Sequence, residues 1–166
     1  MLLNWLKEKS VGKYEEHDDY MCLIHDDGDV STFYKRTNNE DISVLPSSIR
    51  EIYQYYDGID LFSNTFQIAS FSEAVSIDGE NVICSLSELA EKVINLKFPE
   101  PVIPFMLEYG DMEGNQWIYA AAVNSNKIYS FDTRDEIYDI YDSIEQILED
   151  WIEDVMEQHR RDDFGL

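Results

Sequence analysis

The residues of this chain that could do chemistry are its carboxylates, and the sequence gives them few partners. There are 35 Asp and Glu against 12 Lys and Arg and 3 His, a formal net charge of −23. A nucleophilic enzyme needs a base beside its serine or cysteine. His17, His25 and His159 are the only histidines, and none stands in a GxSxG or papain-like setting. His25, in CLIHDDG, reads as the end of a strand, and His159 stands beside Arg160 and Arg161. Cys22 and His25 have Cx2H spacing but no second pair, so no structural zinc site is expected. Asp26, Asp27 and Asp29 surround Gly28 without the spacing or terminal glutamate of a calcium loop, and an Asp-Gly turn accounts for them. Asp57 with Asp60, or Asp111 with Glu113, could hold a hard cation or act as a glycosidase pair, but so acidic a chain produces such pairs by chance. No phosphate-binding lysine loop or GxGxxG occurs. The expectation is therefore no catalytic residue, no cofactor and no metal.

Binding is the chemistry that remains. Residues 15–29 carry seven acids and no Lys or Arg, and residues 132–154 carry ten acids against Arg134 alone. Such a field repels nucleic acid and anionic membranes, since both need cationic groups, and it speeds the approach of a basic partner. Solubility and solvated helix faces produce the same excess. A binding surface would combine steering carboxylates with a few aromatic anchors. The acids nominated are Asp57, Asp60, Glu108, Asp111 and Glu113, in two acidic loops, and the anchors are Tyr55, Tyr109 and Trp117. Packing explains several of these equally well: Trp117 alternates with Tyr119 along a strand, and Tyr109 sits at a strand edge. Tyr55 is the tyrosine that falls off its helix's apolar stripe.

The chain's 166 residues with 44% apolar content fit one domain, enough to bury roughly 70% of the unfolded surface. No apolar run reaches the ~20 residues of a membrane span, and MLLNWLKEKSVGK is too polar after Leu6 for a secretory signal, so a cytoplasmic location is expected. Cys22 and Cys84 belong to no CxxC pair and read as small core residues. Leu2, Leu3, Trp5 and Leu6 predict a docked N-terminal helix. DYMCLIH and VSTFYK around an Asp-Gly turn predict a hairpin. Pro46 is placed in the first turn of a helix with Ile49, Ile52, Tyr53 and Tyr56 on its inner face, and Gly58 just past its end. A strand is expected at 66–71 and a helix at 85–96, with Ser85 and Glu88 as a capping box and Leu86, Leu89, Ala90, Val93 and Ile94 as its stripe. Strands follow at 102–109, 115–123 and 127–132. The closing helix is capped by Ser143 and Gln146 and carries Ile144, Ile147, Leu148, Trp151, Ile152, Val155 and Met156 inward. Hairpin-ordered strands among helices give an α+β domain with a mainly antiparallel central sheet flanked by helices.

The order of short patterns over about residues 44–156 resembles the SUKH superfamily, which contains fungal cell-wall-assembly regulators and many bacterial toxin-immunity proteins. The patterns are Leu45-Pro46, a short helix, Asp57-Gly58, Ile103-Pro104-Phe105, Gly110-Asp111, Asp132 and Tyr141-Asp142-Ser143. The chain departs from the family in EYGDMEGNQW, where Gly110 stands without the second glycine that often precedes the aspartate. The resemblance implies a non-enzymatic, toxin-neutralising role with a basic toxin domain, such as a nuclease, as partner. A regulatory or scaffold adaptor is the alternative, and a carboxylate-pair hydrolase a third. The sequence leaves a homodimer open.

Overall fold

The computed structural model describes residues 2–9, 12–26, 28–71, 73–93, 97–109, 116–132 and 137–164. In chain order its elements are α1 (Leu2–Lys9), β1 (Gly12–Glu16), β2 (Tyr20–His25), β3 (Val30–Lys35), α2 (Ser47–Tyr55), β4 (Tyr56–Leu61), β5 (Phe66–Ile68), β6 (Val75–Ile77), β7 (Glu80–Ile83), α3 (Leu86–Glu91), β8 (Val102–Tyr109), β9 (Gln116–Ala122), β10 (Ile128–Asp132), β11 (Ile137–Tyr141) and α4 (Ile144–Phe164). Nine strands form one sheet in the order β1-β2-β3-β4-β5-β8-β9-β10-β11, and β6 pairs with β7 alone. Every neighbouring pair is antiparallel, so the α+β class with an antiparallel sheet is the observed one. The sheet runs in chain order even though β3 and β4 are joined through α2; the excursion through β6, β7 and α3 departs from β5 and returns to its neighbour β8.

Side chains alternate across a strand, so the register sorts them into two faces. One face carries Met21, Leu23, Phe33, Ile59, Leu61, Phe66, Ile68, Met106, Tyr119, Ala121 and Ile128. Leu2, Leu3 and Leu6 of α1, Ile49, Ile52 and Tyr53 of α2, and Ile144, Ile147 and Leu148 of α4 close over it as one core. Tyr53 is fully buried because its hydroxyl has a partner, donating to the Ala69 carbonyl at 2.6 Å. On the second face Leu107, Ile118, Ala120 and Phe131 pack beneath Leu89 of α3, with Leu86, Val93 and Phe98 around them. No helix among the described residues is long and apolar enough to cross a membrane.

The expected caps are present in modified form. Ser85 Oγ accepts the Glu88 N–H at 3.2 Å and Ser143 Oγ accepts the Gln146 N–H at 3.1 Å. Gln146 Oε1 reaches back to the Asp142 N–H at 2.8 Å, one residue earlier than a capping box would have it. Other expectations need correction. Pro46 caps α2 from outside, in extended conformation, and Ser47 opens the helix. The helix ends at Tyr55, so Tyr56 enters the sheet, and Gly58 lies inside β4 with φ +103°. A Cβ there would meet Val75 and Ile83 methyls of the β6–β7 hairpin at 3.2 Å, which adds a packing reason for glycine. The 66–71 strand stops at Ile68, and the 85–96 helix is described as Leu86–Glu91, with Ile94 outside the described residues. The side chains of Val155 and Met156 also lie outside them.

Candidate functional site

The second face of the sheet is covered over β8–β10 and open over β1–β3. Register places Tyr20 opposite Tyr34, Cys22 opposite Thr32 and Ile24 opposite Val30, with Thr32 next to Asp60 of β4 and Asp60 next to Gln67 of β5. The β2 and β3 members of this row are half-buried, whereas Met21, Leu23, Ser31 and Phe33 on the other face of the same strands are buried. A water-facing side of an antiparallel sheet is ordinarily polar. Here it carries Tyr, Ile, Val and Cys. At one end the His17 ring stacks on Tyr20 at 4.5 Å, and Tyr20 meets Tyr34 at 6.3 Å.

The β6–β7 hairpin bounds this open face. Gln67 fastens it down, donating to the Val82 carbonyl at 2.8 Å and accepting the Cys84 N–H at 3.1 Å. Asp60 therefore stands at the foot of the hairpin, where cover gives way to solvent. The turn that follows holds three consecutive non-glycine residues in the left-handed region, Phe62 at φ 54°, Ser63 at 50° and Asn64 at 69°. Such residues cost roughly 1–3 kcal/mol each and persist only where surrounding bonds fix them. The bonds are present: Phe62 N–H to Ser31 Oγ at 3.0 Å, Ser63 N–H to the Val30 carbonyl at 2.8 Å, Val30 N–H to Ser63 Oγ at 3.0 Å and Asn64 N–H to Asp60 Oδ1 at 2.7 Å. Phe62 is driven into the core against Trp151, ring centroids 4.4 Å apart. Burial pushes the Asp60 carboxyl above its ordinary value, opposed in part by the Asn64 bond.

The eight nominated residues do not form one cluster. Asp60 and Tyr109 share the open side: the Tyr109 hydroxyl is pushed up by burial and by the charges of Cys84 and Asp60, with Gln67 opposing, and the ring is 44% exposed. Glu108 and Trp117 are directly paired on the helix-covered face. Glu108 accepts the Tyr119 hydroxyl at 3.0 Å, and burial raises its carboxyl despite that bond. Trp117 packs half-buried against the main core. Asp57 ties chain segments together, its two oxygens accepting Phe71 N–H at 2.5 Å and Asn38 Nδ2–H at 2.9 Å. Tyr55 is 53% exposed at the end of α2. Asp111 and Glu113 lie outside the described residues. Asp57 and Asp60 are residues of β4, so the first acidic loop read from the sequence is sheet at those positions, and Glu108 lies in β8, within the strand expected at 102–109.

His25 ends β2 as expected and is buried, its Nε2 2.7 Å from Ser31 Oγ. This serine–histidine contact was not legible beforehand. Ser31 is fully buried and already takes the Phe62 N–H, so the pair braces the left-handed turn. Among the described residues no group of three or more His, Cys, Asp or Glu is arranged to hold a metal ion. Cys22 and Cys84 are free and half-buried rather than fully in the core. The open-face residues Tyr20, Ile24, Val30, Thr32 and Tyr34 were missed because strands apolar on both faces read as doubly covered. Comparison with protein-family models, with curated proteins and with solved structures finds no match to this chain.

Proposed function

We propose that the chain is a protein-binding domain without catalysis of its own, an immunity protein that binds a basic toxin domain, and that it docks through the open half of the second sheet face. The observation that carries this reading is the half-exposed row Tyr20–Tyr34, Cys22–Thr32 and Ile24–Val30 ending at the Asp60 carboxylate. Apolar and aromatic side chains on a rigid sheet supply anchors at low entropic cost, and a chain of net charge −23 supplies the steering field. Asp26 and Asp29 of the adjoining β2–β3 turn are near the same end of the sheet, because Ser63 bonds Val30 there.

The test is co-expression with the toxin-like product of the neighbouring gene, scoring growth and then binding as a function of salt. Rescue with affinity that falls as salt rises supports the reading. Binding without protection rejects it and assigns the chain to the adaptor class.

A further inference from the structure

We propose that Asp60, Tyr34 and Tyr109 form a subsite for one arginine side chain of a basic protein partner. This rests on the partner-binding reading above and names the chemistry at its centre. A carboxylate offers about four acceptor positions. Asp60 uses one, for the Asn64 N–H, and no Lys or Arg pairs with it among the described residues. Its side chain is aimed onto the open face by register with Thr32 and Gln67. Register puts Tyr34 on the same face, two residues along β3 from Thr32, the partner of Asp60, and Tyr109 two residues along β8 from Leu107, with Gln67 of β5 between β4 and β8. Burial and, after it, the Asp60 charge raise both hydroxyls. Tyr34 is half-buried and Tyr109 is exposed, so each presents surface on the face of a carboxylate already stripped of some of its water.

That combination favours guanidinium over ammonium. Guanidinium is planar, weakly hydrated, able to donate twice to one carboxylate and able to stack on an aromatic ring, whereas ammonium is compact and holds its water. The geometry is fixed in advance by the left-handed turn, since Asn64 positions Asp60 and the turn is tied to β3 at Ser31 and Val30. A pre-set carboxylate loses little freedom on binding.

The experiment uses the full chain, isotope-labelled, titrated with hexa-arginine and separately with hexa-lysine while carboxyl and tyrosine resonances are followed. The expected result is a saturable change centred on the Asp60 carboxyl and the Tyr34 and Tyr109 rings, with hexa-arginine about tenfold tighter than hexa-lysine. Asp60→Asn should weaken hexa-arginine about tenfold, and its amide oxygen can still accept the Asn64 N–H, so the turn is retained. Tyr109→Leu and Tyr34→Leu, which leave that turn untouched, should remove the preference for arginine. Equal affinity for both peptides, or affinity unchanged by Asp60→Asn and by both tyrosine variants, overturns the subsite. Growth rescue distinguishes the two proposals: an Asp60→Asn variant that rescues fully defeats the subsite alone, and intact arginine selectivity without rescue defeats the immunity reading alone.

Discussion

Asp60 and Glu108 are two carboxylates in one sheet, both raised by burial, and they are held in opposite ways. Glu108 faces the helix side, receives the Tyr119 hydroxyl and sits among packed rings, Tyr119 and Tyr141 lying 6.2 Å apart. Asp60 faces the open side and takes one backbone N–H, that of Asn64. On each side one internal donor, a tyrosine hydroxyl for Glu108 and a backbone N–H for Asp60, offsets desolvation only in part. What differs is the surroundings, since Glu108 is packed toward the core rings and Asp60 borders the open face. The lesson extends to the strands that carry them. Fully buried Phe33, Ile59 and Leu61 define the fold, while the alternate residues of the same strands are free to define a surface.

The most severe way to break this contrast is to weaken the element that joins the two sides. Phe62 is 4% exposed, its ring lies tilted 4.7 Å from that of His25 and 4.4 Å from that of Trp151, and it opens the turn that sets Asp60. Phe62→Ala should cost about 3–5 kcal/mol by denaturant unfolding, from lost burial and the cavity left behind. A loss below about 1 kcal/mol would mean that the turn is not braced from the core side. Next in size is Tyr119→Phe, which strips the donor from a largely desolvated carboxylate and should cost about 1–3 kcal/mol. Adding Glu108→Gln to it should recover part of that loss, and a strictly additive double variant would show that the two groups are not coupled.

The scaffold around these residues was legible where a single physical signal dominated. The limits of β3 and β8 follow from composition and flanking breakers, and the caps of α3 and α4 follow from Ser85 and Ser143. The strand β4 was missed because Asp57, Gly58 and Asp60 look like loop residues. Each has a tertiary reason that sequence does not display: Asp57 holds Asn38 and Phe71, Gly58 admits the hairpin, and Asp60 holds Asn64. Strand β1, with Lys13, Glu15 and Glu16, was missed because edge strands carry charges that hide their period. Of the candidate site, Asp60 and Tyr109 were named as a carboxylate and an anchor. Their neighbours Thr32 and Tyr34 come from a distant part of the chain, and only the β3–β4 register brings them together.

A smaller effect separates the carboxylates by pH. A carboxyl whose folded pKa is raised binds protons more readily when folded, so its charge lowers stability above the folded pKa, and that loss vanishes as pH falls through it. Glu108→Gln, which keeps an acceptor for Tyr119, should therefore be more stable than the parent at neutral pH, and the gap should close on acidification. Glu100 is the control of opposite sign. Its carboxyl is held low by Tyr129 at 2.7 Å and Ser125 at 3.0 Å, so it contributes stability above the unfolded pKa that is lost as pH falls through the folded one. At neutral pH the melting curves of Glu108→Gln and Glu100→Gln should therefore lie on opposite sides of the parent, and both gaps should close on acidification. If both shift the same way, burial is not what sets Glu108 apart.

The finest test removes one methyl group from each side of the same sheet. Ile59 of β4 is fully buried against the helix core, and Ile24 of β2 is half-buried on the open face. Ile→Val keeps the branched side chain that a strand favours, so propensity is nearly constant and burial alone is compared. Ile59→Val should cost about 0.5–1.5 kcal/mol, and Ile24→Val less than about 0.5 kcal/mol, both by urea unfolding. Repeating Ile24→Val with partner bound should enlarge its cost, because a docked surface would then cover the methyl that is lost. If Ile24→Val already equals Ile59→Val in the free protein, something covers β2 in solution. The dependence of the midpoint on protein concentration would then identify a second copy of the chain as that cover, and the open face would be a dimer interface before it is a docking site.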